Sequence, residues 1–185
     1  MRPAMLGDIP AVVAVGRACN LAEIGEFDVH ESWVHDEWVR PRFEPSTNAW
    51  VVMEPGGEIV AAAYTWDEEP HTLFDSTGWV HPEHRGRGIG TSLVLTVERR
   101  AVRDLSRATA GSVPRVLQSY DADASGAFDP DASGAGALLE GLGYSRSAST
   151  CTWRSTCLKD PTLVLHLRAS RSDRGSRPTT ARSSP

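Results

Sequence analysis

The chain has 185 residues, of which 40% are hydrophobic and 23% charged, a mix typical of one soluble globular domain with room for an appendage. No segment reaches the roughly 20 apolar residues of a membrane span, and three cysteines are too few for a disulfide framework, so we expect a cytoplasmic protein without a membrane segment. Residues 1–144 carry 11 basic and 22 acidic residues, which argues against a nucleic-acid partner for this acidic body.

The first part of the chain predicts two helices and a hairpin. Asp8 precedes an apolar face with helical spacing, which predicts a helix capped by its carboxylate. A second helix is expected over about residues 30–40. Apolar runs at 49–53 and 59–66 flank a Pro-Gly-Gly turn, which is typical of a β-hairpin.

The second part continues the alternation of strand and helix. An extended run is expected at 73–81, followed by an amphipathic helix over 88–105 with apolar residues every fourth position. A strand at 116–120 and a short helix at 135–142 complete the expected body.

The composition changes after Tyr144. Of the last 41 residues 15 are Ser or Thr, and residues 145–185 carry 8 basic and 2 acidic residues. We therefore expect one domain over 1–144 and an atypical basic tail over 145–185 that is mostly disordered. Only 162–168 alternates enough to be a strand, and no convincing pair of strands is expected in the tail.

The informative segment runs from the extended strand through a loop with alternate glycines into the amphipathic helix. Loop amides and the first amides of a helix point at one spot, where the helix dipole is positive, so the segment predicts an anion site. Arg85 and Arg87 are expected to add charge. Thr91 stands where a dinucleotide fingerprint has its third glycine, and the alternative interpretation is a plain helix-entry turn with surface arginines.

These residues resemble the GNAT N-acetyltransferase superfamily. Its acyl-CoA signature has Arg or Gln, two residues, Gly, one residue, then Gly or Ala, and Arg85, Gly88 and Gly90 match it after Val80 and Pro82. The opening residues and the Gly-Tyr pair at 143–144 extend the likeness over about residues 1–144. It looks closest to tandem members of the mycothiol synthase type.

The resemblance implies an α/β GNAT-like fold, a mixed, largely antiparallel twisted sheet with helices on both faces. It also implies direct transfer of an acetyl group from acetyl-CoA, as cosubstrate, to an amine acceptor, a small molecule being favoured over a protein. The implied acetyl-CoA-binding residues are Val80, His81, Arg85, Gly86, Arg87, Gly88, Ile89, Gly90 and Thr91.

The general base and acid are less clearly marked. Asp75, on the strand that enters the loop, is the candidate base, with Glu69 and Glu83 behind it, and the alternative is a solvated strand-end carboxylate. Many family members protonate the departing thiolate with a tyrosine four residues before the closing glycine, where this chain has Leu139.

Two tyrosines are candidates to replace the missing acid. They are Tyr120 and Tyr144, and core packing explains both equally well. Since a thiol with a pKa near ~8.5 is already a fair leaving group, turnover does not require this acid.

The sequence predicts no metal site, because His81 and His84 are expected to be loop residues and the Asp-rich segment at 121–132 lacks the final ligand of a calcium loop.

The acidic region over 23–44 suggests a cationic amine acceptor, the alternative being a solvated helix face. A noncatalytic acyl-CoA-binding module, or an inactive fragment truncated or frameshifted near Tyr144, is the competing hypothesis. The sequence leaves the oligomeric state open.

Overall fold

The structure is a computed structural model that describes residues 1–25, 29–68, 71, 73–104, 107, 115–118, 134–147 and 162–166. The helices in these ranges are α1 (Ile9–Ile24), α2 (Glu31–Trp38), α3 (Pro45–Asn48), α4 (Ile89–Asp104) and α5 (Ala135–Gly141). The strands are β1 (Arg2–Pro3), β2 (Ala49–Met53), β3 (Ile59–Glu68), β4 (Leu73–Val80), β5 (Arg115–Gln118), β6 (Ser145–Ser147) and β7 (Thr162–His166). Short 3₁₀ turns lie at Leu6–Asp8 and Pro82–His84. None of the described helices is long and apolar enough to cross a membrane.

One sheet, in the order β1-β2-β3-β4-β5-β7-β6, forms the centre of the fold. Among the described strands the β4–β5 pair is parallel and all other neighbours are antiparallel. A parallel pair needs a long crossover, and this crossover contains α4. The predicted α/β class, with a mixed and largely antiparallel sheet, is confirmed, as is the predicted hairpin, formed by β2 and β3.

Helices cover both faces of the sheet because the central strands are apolar on both sides. Ala62 and Tyr64 of β3 pack in one cluster with residues of α1 and α2, while their neighbours Ala61 and Ala63 pack in another with α4. The residues that α4 presents to the sheet are Leu93, Val97 and Ala101, the stripe predicted from the spacing of four.

Asp8 does not cap α1 as expected. Its carboxylate instead accepts hydrogen bonds from the Arg2 guanidinium at 2.7 and 2.8 Å and from the Met5 amide at 2.9 Å, and no side-chain cap bond reaches the helix. The reason is that the 3₁₀ turn runs directly into α1, which leaves the carboxylate facing back toward β1. The Arg2 hydrogen bond is the main cause that lowers the pKa of Asp8.

Two strands extend the sheet beyond Tyr144, where no convincing strand pair was expected. β7 pairs with β5 from Arg115↔His166 to Gln118↔Leu163, and β6 pairs with β7. The strand predicted at 162–168 is confirmed over Thr162–His166. Pattern reading missed β6 because backbone pairing along an open strand edge does not need alternating side chains. The rest of the tail lies outside the described residues, so the domain division and the expected disorder stay predictions.

Candidate active site

The loop between β4 and α4 has two glycines with left-handed backbone. Gly86 and Gly88 have φ of 72° and 76°, a region that other residues avoid, whereas Arg87 between them does not share it. Successive N–H groups in such alternating conformations form a concavity that binds anions. The alternate glycines of the sequence therefore serve the backbone shape of the loop.

The amides that follow complete the anion site. Backbone amides of residues 86–91 donate no hydrogen bond to any other described residue, and the first to do so is Ser92, which donates to the Gly88 carbonyl at 3.1 Å. Several of them belong to the first turn of α4, a 16-residue helix whose dipole is positive at this end. A dianionic pyrophosphate fits this set of donors.

β4 pairs with β3 along its whole length, whereas the described part of β5 pairs with only its first half. Its register with β3 runs from Leu73 to Val80, but its register with β5 ends at Ser76↔Gln118 in the described part of the chain. His81 N donates to the Val60 carbonyl at 2.9 Å, so the amide of residue 81 faces β3. Because backbone groups alternate in direction along a strand, Val80 turns its N–H away from β3, toward the side on which β5 ends.

Arg85 turns inward rather than toward the anion loop. Its guanidinium is hydrogen-bonded to Glu23 of α1, and its Nε donates to the Val80 carbonyl at 3.3 Å. The Sγ of Cys19, one turn earlier on α1, donates to the same carbonyl at 3.2 Å. Arg85 therefore connects the end of β4 to α1, and the expectation that it adds free charge to the anion loop is wrong.

Burial sets the protonation of the two α1 side chains in this contact. It raises the pKa of Cys19 to about 11, so the thiol is neutral and serves as a hydrogen-bond donor. It also raises the pKa of Glu23, against the opposing effect of the Arg85 guanidinium. Cys19 and Glu23 were not predicted as site residues, although their separation by four residues puts them on one face of the helix.

Arg87 is also held by other protein groups. Its Nη1 lies 3.2 Å from Glu54 Oε1, and its Nη2 donates to the Glu83 carbonyl at 3.3 Å. Both loop arginines thus have carboxylate partners. The positive field for an anion comes chiefly from the amides of residues 86–91 and the α4 dipole.

A family model described as "Acetyltransferase (GNAT) family" matches residues 16–113, more than half of the chain. The chain belongs to the GNAT acetyltransferase family. The matched range contains β4, the glycine loop that follows it and α4. No curated protein matches the chain in sequence.

Solved GNAT structures share the fold. A GCN5-related N-acetyltransferase from Sphaerobacter thermophilus is 26% identical, with a TM-score of 0.68 over 80% of this chain, which spans only 43% of that protein. A phosphinothricin acetyltransferase from Sinorhizobium meliloti in complex with acetyl-CoA is 18% identical, with a TM-score of 0.58 over 88% of this chain and 84% of that one. A Salmonella typhimurium protein solved with its cofactor acetyl-CoA is 17% identical, with a TM-score of 0.56, covering 90% and 92%.

Asp75 lies on the α1–α2 face of the sheet. Its β4 neighbours Phe74 and Ser76 are fully buried, and Phe74 packs with the α4 cluster, so Asp75 points to the opposite side. It lies close enough to Tyr64 to contribute to the raised pKa of that phenol. Glu83 is exposed in the 3₁₀ turn, and Glu69 lies outside the described residues.

Tyr144 lies on the other face, with α4 and α5. Its ring is buried in a cluster with Val94 and Leu139, the residue at the family's tyrosine position. Burial and the neighbouring carboxylate of Glu98 raise the pKa of Tyr144, so it stays a neutral phenol. Tyr120 lies outside the described residues.

The structure places Val80, His81 and residues 85–91 between the end of β4 and the start of α4, and their role in binding acetyl-CoA stays a prediction. It does not bring Asp75 and Tyr144 together. A contact missed by sequence reasoning links α2 to β3, where the Tyr64 hydroxyl donates to Glu37 at 2.7 Å, and only the acidic and aromatic composition of that region gave any signal of it.

Proposed function

We propose that the protein transfers an acetyl group directly from acetyl-CoA to an amine acceptor. The observation that carries this proposal is that the amides of residues 86–91 donate to no described residue and lie next to the half of β4 for which the described part of the chain gives no partner beside β5. The amides would hold the pyrophosphate, and the open strand edge would pair with the pantetheine arm. Acetyl-CoA supplies the activated acyl group, and the protein supplies position and charge stabilisation.

The Val80 amide is the proposed oxyanion donor. Its N–H faces away from β3, and the bonds from Cys19 and Arg85 to the Val80 carbonyl, which belongs to the next peptide, restrain the end of β4. As the acceptor nitrogen bonds to the acyl carbon and the carbon–sulfur bond breaks, this amide meets the negative charge that develops on the carbonyl oxygen. One such donor contributes about 3 kcal/mol to lowering the barrier.

Proton transfer needs a base on the acceptor side. An alkyl amine with a pKa near ~10 is mostly protonated at neutral pH, and only its neutral form attacks. Asp75 remains the proposed base, because it lies on β4 and on the α1–α2 face. Asp75→Asn should lower kcat and leave acetyl-CoA affinity unchanged, whereas equal loss of both would refute this role.

Tyr144 remains the proposed acid, in a limited role. Its raised pKa makes proton transfer to a CoA thiolate, with a pKa near ~8.5, unfavourable. We therefore propose that the phenol donates a hydrogen bond and that solvent supplies the proton. This predicts that Tyr144→Phe loses less than about tenfold in kcat, below the range of general acid catalysis.

The acceptor we propose is a small cationic amine. Support comes from the acidic residues of α2, which include Glu31 and Asp36, and from Trp33, whose ring meets Trp79 of β4 edge to face with centroids 6.2 Å apart. A cytoplasmic location is part of the proposal, because Cys19 is a free buried thiol.

Kinship with tandem mycothiol synthase-type members, and truncation near Tyr144, also remain proposals. The kinship is supported by the fact that the chain spans 43% of the Sphaerobacter protein, whereas β6 and β7 continue the sheet after Tyr144, which argues against the truncation. Translation of the gene in the other two frames after codon 144 tests the truncation, which is refuted if neither frame resumes strand-like alternation.

The proposed function is tested first by calorimetric titration of acetyl-CoA into the full chain and into Gly88→Glu, whose carboxylate would enter the anion loop. Gly57→Glu is the matched control, since Gly57 also has positive φ and open space around it. We expect saturable binding that is lost only in Gly88→Glu, followed by thiol release with an amine panel. Binding without thiol release for any amine would favour the noncatalytic module, and no binding by folded protein would refute the proposal.

A further inference from the structure

The 3₁₀ turn before the anion loop brings two imidazoles together. His81 precedes the turn and His84 ends it, with His84 N donating to the His81 carbonyl at 2.8 Å. Residues three apart lie nearly eclipsed in such a turn, so both side chains project to the same side. The ring centroids are 5.6 Å apart and the rings are inclined at 72°.

Glu83 adds a carboxylate to this pair. One ligand atom from each of His81, Glu83 and His84 lies within 4.8 Å of the other two, and no other such group of three occurs among the residues that the structure describes. Ligand atoms around a tetrahedral zinc ion are about 3.4 Å apart, so the group needs to contract by up to about 1.4 Å. Glu83 is exposed and free to make this movement.

Glu54 orients one of the imidazoles. His84 Nδ1 lies 2.9 Å from Glu54 Oε1, which leaves Nε2 for a ligand. A metal-bound histidine almost always donates its second ring N–H to a carboxylate or carbonyl, and Glu54 lies within the distance from His84 Nδ1 that such a bond needs, although Arg87 Nη1 also lies 3.3 Å from this nitrogen. The other imidazole accepts only a 3.3 Å bond from the Glu83 amide, at His81 Nδ1, which a metal ion can replace.

The local charge is compatible with a cation. Arg87 places a guanidinium beside the site, bonded to the Glu54 carboxylate and to the Glu83 carbonyl, with Nη1 3.3 Å from His84 Nδ1. The carboxylates of Glu54 and Glu83 therefore outweigh it by one charge. The two imidazoles are neutral ligands when deprotonated.

We propose that His81, Glu83 and His84 bind a divalent transition-metal ion of the zinc type, with His84 oriented by Glu54. The ion ties the turn that enters the anion loop to the β2–β3 hairpin and leaves its remaining positions open to solvent. Sequence reasoning predicted no metal, because it interpreted His81 and His84 as loop residues that flank the anion loop. This inference does not rest on the proposed function.

The test uses the full chain and metal ions alone, without acetyl-CoA. Calorimetric titration with Zn²⁺ should give one ion per chain, Co²⁺ should develop visible d–d absorption, and Zn²⁺ should raise the unfolding temperature. Affinity should fall at least tenfold in His84→Gln and in Glu83→Gln, and about tenfold or more in Glu54→Gln. The control is His35→Gln, because His35 is an exposed α2 imidazole beside Asp36, and it should bind like the wild type.

Two results would overturn the proposal. The first is a folded wild-type chain that shows no saturable Zn²⁺ binding. The second is binding of unchanged affinity in both His84→Gln and Glu83→Gln, which would place the ion elsewhere. Since the Glu83 side chain is exposed, its variant keeps the test valid even if His84→Gln fails to fold. Neither result bears on acetyl-CoA binding, so failure of this site and failure of the acetyltransferase proposal remain distinguishable.

Discussion

Gly88→Ala isolates the contribution of backbone shape to the anion loop. Gly88 has φ of 76°, and a Cβ added there meets no atom within 4 Å, so the substitution introduces strain without a clash. Left-handed backbone costs a residue with a Cβ roughly 1–2 kcal/mol relative to right-handed backbone. The side chain added is one methyl group, which leaves the charge of the loop unchanged.

The strain must appear either in stability or in binding. If the loop of the free protein keeps its left-handed backbone, the free energy of unfolding falls by the full ~1–2 kcal/mol. If the loop relaxes in the free protein, binding of acetyl-CoA must force the strained backbone to form again, and the affinity falls by about 5- to 30-fold. We expect relaxation, because Gly88 is exposed and the amides of residues 86–91 make no bonds that hold the loop. The two losses together should sum to ~1–2 kcal/mol.

Gly57→Ala is the matched control. Gly57 has φ of 91°, and a Cβ there likewise meets nothing within 4 Å, but it lies in the β2–β3 turn. Its strain should appear only in the free energy of unfolding, measured by urea titration, with acetyl-CoA affinity unchanged by calorimetry. If Gly88→Ala changes neither quantity, the strained loop is refuted; if it lowers stability alone, the relaxation argument is wrong.

Three further predictions concern contacts around the site. Tyr64→Phe should lower the free energy of unfolding by about 1.5–3 kcal/mol in urea, because Glu37 loses a donor at 2.7 Å, and no change would mean that water replaces it. The pKa of Asp8 is lowered in the folded state, so its carboxylate stabilises the fold at pH above its unfolded-state pKa near ~3.9, and this stabilisation is lost as the pH falls through its folded-state pKa. Asp8→Asn should therefore flatten the fall in the free energy of unfolding between about pH 5 and pH 2. Glu23→Gln alone should weaken acetyl-CoA binding, measured by calorimetry, more than the double variant Glu23→Gln/Arg85→Gln does, because the double variant leaves no unpaired charge. Losses of affinity that add between the two substitutions would contradict this.

Periodicity predicted the elements whose burial decides their structure. The spacing of Leu93 and Val97 predicted α4, and the two apolar runs around the Pro-Gly-Gly turn predicted the hairpin of β2 and β3. The short helix α3 escaped prediction, and the two-residue strand β1 was expected only from the resemblance of the opening residues to the family, because elements of that length carry too little pattern. The alternate glycines predicted the anion loop, since few residues other than glycine adopt the backbone found at Gly88.

Side-chain direction could not be predicted in the same way. Sequence proximity suggested that Arg85 faces an anion, yet its partners are Glu23, on α1, and the carbonyl that ends β4. Likewise His84 gains its carboxylate from Glu54, 30 residues earlier in the chain. Both contacts depend on how α1 and the β2–β3 hairpin pack beside the loop, which is tertiary information that no local pattern contains.

The inward direction of Arg85 explains a feature of the family signature. The signature accepts Arg or Gln at this position, which is unexpected if the side chain neutralises a phosphate, because glutamine has no charge. Both side chains can donate a hydrogen bond to a backbone carbonyl, and that is what Arg85 does to Val80. An arginine in this half-buried position also needs a carboxylate partner, which α1 supplies as Glu23. We therefore propose that this position holds the Val80 carbonyl, and with it the end of β4 that carries the proposed oxyanion donor, while the backbone amides of the loop bind the phosphates.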